Sequence, residues 1–190
     1  KNLTDHIRRI FKDKNYPIMI DEEGGKVSRL TKIIDTSLFS QKLFGEMYIK
    51  DNKRFNLYFA TYVKQLSYVL TLCGININTV PVLDVIRKFS SKVLKDRCYS
   101  SNPKIVSKLG NLCIETFNKY GIATVIKHIP GHGPSRKDSH FEVPIVNDKI
   151  SKLKKIDFLP FKKKKSYLAM TAHVVYTSID KFNTATQSKK

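Results

Sequence analysis

Four short apolar runs, each cut off by a charged or polar residue, constrain this chain more than any other feature. They cover residues 16–20 before Asp21, 75–83 before Asp84, 123–126 before Lys127, and 167–171 leading to His173. Near-continuous runs rich in Val and Ile suit strands buried on both faces, as in parallel sheets. Between them lie segments with helical periodicity. Across residues 52–72 the apolar positions Phe55, Tyr58, Phe59, Tyr62, Leu66 and Val69 recur at spacings of three and four, giving one face to pack. Residues 102–120 open with Pro103 in the first turn and stop at Gly121. A shorter helical stretch, 150–165, is interrupted by Pro160.

Strands and helices alternating with crossovers of this length predict an α/β fold with a parallel sheet. No GxGxxG follows a strand, which disfavours a dinucleotide fold. The polar residue closing each run sits where catalytic barrels place their chemistry, at the carboxyl ends of the strands. A complete (β/α)8 barrel takes about 250 residues. The 190 residues here therefore predict a partial TIM barrel, roughly the strands of one half joined by parallel β–α crossovers, in a single domain over 1–190.

Composition narrows the function. Hydrophobic residues at 41% and aromatics at 11% argue for a globular chain. The formal charge of +19 comes mostly from lysine, as in Lys152, Lys154 and Lys155 and the run 162–165. A basic nucleic-acid binder is one reading of that charge. A solvated lysine face is favoured, because no recognition motif accompanies it and Arg is sparse beside Lys. No stretch approaches the roughly 20 apolar residues of a membrane helix, and the opening residues lack a signal-peptide core. Cys73, Cys98 and Cys113 show no CxxC or metal spacing and read as reduced thiols of a cytoplasmic protein.

The densest chemistry lies in KHIPGHGPSRKDSHFEVP, residues 127–144. Gly131 and Gly133 flank His132, and Pro130 and Pro134 stiffen a loop whose backbone can come close to a ligand. Three readings compete. His128, His132, Asp138 and His140 are all potential metal ligands, but their spacing matches no common zinc pattern. The histidines could instead hydrogen-bond their own loop, which accounts well for His132. Alternatively Asp138 orients and charges His140, since a carboxylate beside an imidazole fixes its tautomer and raises its proton affinity, as a leaving-group acid requires.

This loop resembles the signature of family 3 β-N-acetylglucosaminidases, KH-aromatic-PGHG, a four-residue spacer, then DSH; Ile129 replaces the aromatic. The resemblance implies that Asp138 and His140 form the acid/base dyad, with Lys127 and His128 contacting the sugar. IDEEGGKVSRL (20–30) is similar to the family's DQEGG-x-V-x-R element and implies that Asp21 and Arg29 bind sugar hydroxyls, while Glu22 and Lys26 read as loop charges. NTVPVLDV (78–85) resembles the APVLDV strand, where Asp84 is equally a structural or a ligand-binding residue. DRCYSSNP (96–103) resembles ERSY-x-x-x-P, with Arg97 as a sugar contact and Cys98 in place of Ser. MTAHVVYTSID (170–180) matches the MTAHVVY strand, placing His173 near the pocket floor.

The implied activity is retaining removal of terminal N-acetylglucosamine from cytoplasmic peptidoglycan fragments, with no cofactor. The family's nucleophilic Asp lies in an SDD element, and none occurs in these residues. Its first strand is also absent before Lys1. The expectation is a segment truncated at both ends, inactive by itself unless a second polypeptide completes the barrel. A decayed remnant or sugar-binding pseudoenzyme is the alternative.

Overall fold

A computed structural model describes residues 2–137 and 141–190. In chain order it contains α1 (Asn2–Ile10), β1 (Met19–Ile20), α2 (Gln41–Lys50), α3 (Asn52–Leu72), β2 (Ile77–Asn78), α4 (Pro103–Lys119), β3 (Ala123–Ile129), β4 (Ile145–Val146), α5 (Ile150–Lys155), β5 (Leu168–Thr171) and β6 (Val175–Tyr176). The four apolar runs lie side by side. They form one parallel sheet in the order β1-β2-β3-β5, with Met19 opposite Ile77, Ile77 opposite Ala123 and Val125 opposite Leu168. This is the parallel-strand α/β arrangement that the alternating pattern predicts.

The ladder is shorter than the apolar runs, for a definable reason. Asn76 and Asn78 take over pairing that backbone would otherwise make. Asn78 accepts from the Glu22 N–H at 3.0 Å and donates to the Glu22 carbonyl at 2.8 Å. Asn76 accepts from the Ile18 N–H at 2.7 Å and donates to the carbonyls of Asn15 and Tyr16. Beyond Asn78 the backbone pairs with β3 again at the Val82–Lys127 bridge, after Pro81, which has no N–H to donate. β3 is longer than its apolar run and carries Lys127 and His128 on the strand itself, not on the loop after it.

The helices follow their sequence signals closely. Asp51 caps α3 through the Arg54 N–H, and Asn102 caps α4 through the Lys104 N–H. The buried face of α3 is Phe55, Phe59, Val63, Leu66 and Leu70; Tyr58 points outward, 44% exposed. That face packs with α2 and with Leu109, Ile114 and Phe117 of α4 against Val80, Leu83 and Ile126 under the sheet. The expected helix over 150–165 is cut to Ile150–Lys155, then a 3-10 turn at Leu159–Phe161, because Pro160 cannot continue an α-helix. α1, α2 and the small parallel pair β4–β6 are additions to the expected elements. No helix among the described residues is long and apolar enough to cross a membrane.

Candidate active site

Lys127 is the centre of the site. Its side chain is almost wholly buried, and its ammonium donates to Glu23 at 2.6 Å, Asp21 at 2.9 Å and the Thr79 hydroxyl at 2.8 Å. All three N–H donors are thereby used. Asp21 and Glu23 leave the end of β1 on the same side because residues two apart in an extended chain share a face. Glu22, between them, turns the opposite way.

Glu23 also grips Arg97 through both carboxylate oxygens, at 2.8 Å from Nε and 2.8 Å from Nη2. This fork-to-fork pair joins residues 74 positions apart. Burial works to raise the Glu23 pKa, yet Arg97 and Lys127 hold it below the usual carboxylate range. Asp21 balances in the same way: burial raises it, and the Thr79 and Lys127 hydrogen bonds bring it below its ordinary value.

Behind His128 lies Asp84, fully buried at the end of the second run. Its Oδ2 is 2.7 Å from His128 Nδ1, and its Oδ1 accepts the His132 backbone N–H at 2.6 Å. Burial pushes the Asp84 carboxyl up, and His128 and His132 pull it back below its ordinary value. Opposite, His128 Nε2 lies 3.5 Å from Arg97 Nη2. Among the described residues the buried His132 ring has no partner for its Nδ1, and burial lowers its pKa.

Asp21, Glu23, Arg97, Lys127, His128 and His132 line a cavity of about 370 Å3 that also takes in Arg29, Leu94, Met170 and His173. That size lies within the usual range of small-ligand pockets, roughly 300–1,000 Å3. The structure thus brings together Asp21, Arg29, Arg97, Lys127, His128 and His173, the six expected sugar contacts. His173 is exposed and its Nδ1 meets Thr186 at 2.9 Å, so it stands on the cavity wall and not on a buried floor. Asp138 and His140, the expected dyad, lie outside the described residues. Among the described residues no group of three or more His, Cys, Asp or Glu could hold a metal ion.

The Glycosyl hydrolase family 3 N terminal domain matches residues 2–190. The chain belongs to this family. It is 34% identical over 167 residues to the Beta-hexosaminidase A of Pseudoalteromonas piscicida, covering 86% of this chain and 27% of that one. It is 33% identical over 170 residues to the Beta-hexosaminidase of Nitrosomonas eutropha, covering 86% and 47%. Among solved structures it is similar to NagZ from Neisseria gonorrhoeae in complex with N-trifluoroacetyl-D-glucosamine, with a TM-score of 0.85, 27% identity, and coverage of 96% of this chain and 54% of that one. The β-N-acetylglucosaminidase from Thermotoga maritima gives a TM-score of 0.76 at 30% identity, covering 98% and 38%. The chain spans about half or less of the length of these relatives.

Two features of this family 3 chain were not legible as site residues. Glu22 is not a loop charge: it is buried, accepting from the Arg29 N–H at 2.7 Å, the Leu30 N–H at 3.1 Å and the Thr36 hydroxyl at 2.7 Å. It thereby fixes the backbone from which Arg29 reaches the cavity, whereas Lys26 is 82% exposed, as a loop charge should be. The second is a brace under residues 131–135. Ser90 donates to the Gly133 carbonyl at 2.5 Å, Tyr176 to the Gly131 carbonyl at 2.8 Å, and the Ser91 N–H to the Ser135 carbonyl at 2.9 Å. Arg87, which also bonds Ser90 Oγ through its backbone N–H, forks onto Asp157 and reaches Asp148 at 2.8 Å. Gly131, at φ 134°, lies so close to Asp157 that a side chain there would strike its backbone, and a Cβ on Gly133 would strike the Val85 carbonyl.

Proposed function

We propose that these residues form the sugar-holding and acid/base part of a retaining β-N-acetylhexosaminidase that removes terminal N-acetylglucosamine from peptidoglycan fragments in the cytoplasm. The observation that carries this reading is the charge balance of the cavity. Along its lining Asp21 and Glu23 offset two of the three cations Arg29, Arg97 and Lys127, and Asp84 lies buried behind His128. A phosphate-bearing ligand calls for surplus cationic charge, as at nucleic-acid interfaces. A matched set of fixed donors and acceptors suits a neutral ligand rich in hydroxyls, and an amide-bearing sugar is such a ligand. The likeness to β-hexosaminidases supports the same reading.

In this mechanism Arg29 and Arg97 supply donors, Lys127 supplies positive charge, and Asp21 and the His128 Nε2 supply acceptors. Asp138 charges His140, which protonates the leaving oxygen and then takes a proton from water. The nucleophilic carboxylate, about 5–5.5 Å from the acid/base group in retaining enzymes, comes from outside residues 1–190, on the same chain or on a second polypeptide. Turnover by these 190 residues alone is expected to be negligible.

The test is hydrolysis of a chromogenic β-N-acetylglucosaminide by the intact protein. The reading requires release of the chromophore, abolished by His140→Ala and sharply reduced by Asp138→Ala. Hydrolysis indifferent to His140 overturns the acid/base assignment. Binding of N-acetylglucosamine with no turnover by the intact protein would identify a sugar-binding pseudoenzyme, and steeply salt-dependent DNA binding would favour the basic binder.

A further inference from the structure

The sequence leaves Asp84 between two roles, and the fold gives it a single oriented one. We infer that Asp84 holds His128 in the Nδ1–H tautomer, making Nε2 a hydrogen-bond acceptor toward the cavity, and ties that choice to the start of the 131–137 loop through the His132 backbone. Asp84 is thus a positioning residue that acts through His128.

Three observations carry the inference. First, Asp84 is completely buried; its Oδ2 faces His128 Nδ1 at 2.7 Å, and its Oδ1 accepts the backbone N–H groups of His132 at 2.6 Å and His128 at 3.5 Å. An ionised carboxylate only accepts, so the 2.7 Å contact requires the proton on Nδ1. The hydrogen bonds that Asp84 accepts from the His128 ring and the His132 backbone favour its ionised form. Second, the atom facing His128 Nε2 is a guanidinium nitrogen, Arg97 Nη2 at 3.5 Å. Arginine only donates, so a second proton on Nε2 would set donor against donor and cation against cation. The lone pair therefore stays on Nε2, and which nitrogen carries the proton follows from what the other one meets. Third, Arg97 is itself held by both oxygens of Glu23, so while Asp84 is ionised the opposite tautomer sets acceptor against acceptor at Nδ1 as well as donor against donor at Nε2.

The consequence for a ligand is directional. A group placed against His128 must bring a proton, as a hydroxyl or an amide N–H does. A carbonyl or ether oxygen at that place meets a lone pair. The ligand side of this statement rests on the sugar-pocket reading above, whereas the tautomer itself does not.

The decisive experiment reads the imidazole nitrogens of His128 by nitrogen-15 NMR in the intact protein, first without ligand. The expected result is a protonated Nδ1 and a bare Nε2. Asp84→Asn keeps the shape but offers Nδ1 an amide N–H, so the proton should move to Nε2, and the affinity for N-acetylglucosamine should fall about tenfold or more. A role that is only structural would lower stability without moving the proton. A bare Nδ1 in the unaltered protein, or an unchanged tautomer in a folded Asp84→Asn variant, overturns the inference. Should Asp84→Asn fail to fold, the unaltered protein decides alone: a proton on Nδ1 only supports the inference, and any other state overturns it. The expected tautomers together with no response to N-acetylglucosamine would support the role of Asp84 while overturning the sugar-pocket reading.

Discussion

Around the cavity, Lys127 and Glu23 stand 2.6 Å apart with side chains 2% and 1% exposed. Along residues 149–165, Lys154, Lys155, Lys162, Lys163 and Lys165 are exposed, and Lys152 reaches Asp148 at 2.8 Å across water-facing surface. Both regions are rich in charge, yet only the first is built around it. Removing a charge from water is tolerable only where partners replace the solvent, so every buried charge at the cavity has a named acceptor or donor drawn from a distant part of the chain. An exposed ammonium keeps its water and needs no partner. A count of charges therefore says little about where the function lies, and the positions of charges at the ends of buried strands say a great deal.

The contrast is broken most directly at Glu23. Glu23→Ala leaves Arg97 and Lys127 buried without their shared counter-ion, and chemical denaturation should show a loss of about 3–5 kcal/mol. Glu23→Gln keeps the volume and one acceptor and should lose less. A loss under roughly 1 kcal/mol for Glu23→Ala would mean that the cavity charges are solvated like surface ones.

Acid should separate the regions next. Glu23 and Asp84 have folded pKa values below their ordinary ones, burial being outweighed by Arg97 and Lys127 in one case and by the two histidines in the other. Their contribution is complete above about pH 4.3, the ordinary glutamate value, and is lost as the pH falls through the lower folded values. Asp157 runs the other way. Burial, more than its bond to Arg87 can offset, pushes it up to about 6. Its folded form thus holds the proton that the unfolded form releases, and its contribution declines as the pH rises from about 4 toward 6. Denaturation curves at successive pH values should show both slopes, and Asp157→Asn should remove only the second.

A smaller effect is expected in the brace. Gly133→Ala drives a methyl group into the Val85 carbonyl and should destabilise by about 1–3 kcal/mol, read by thermal unfolding. Smallest of all, serine at Lys154, Lys155, Lys162 and Lys163 should change stability by less than about 0.5 kcal/mol each and leave N-acetylglucosamine binding unchanged. Abolished binding in that variant would erase the distinction between the two regions.

How much of this was legible in one sequence depends on how local the cause is. The four apolar runs predict the sheet, and the spacing across 52–72 together with Pro103 and Gly121 predicts two helices, because those signals act within a few residues. Asn76 and Asn78 read as interruptions of an apolar run, although their amides replace strand pairing. Glu23 was recoverable from the two-residue period that aligns it with Asp21, while Glu22, adjacent and identical in type, belongs to the other face. The clamp between Arg87 and Asp157 joins residues 70 positions apart, and nothing in either neighbourhood announces the other. Asp138 and His140 were one of three readings of their loop until the resemblance singled them out, and they lie outside the described residues.

The saturated ammonium of Lys127 has a last consequence. With each of its protons already committed, recognition there is substitution and not addition: an incoming hydroxyl gains a proton only by evicting an internal acceptor. Glu23 is buried and bound to Arg97, and Thr79 is buried and donates to Asp21, so Asp21, 43% exposed on the cavity lining, is the acceptor an incoming group reaches. A molecule that can accept a proton in its place trades with it, and one that cannot finds nothing to displace.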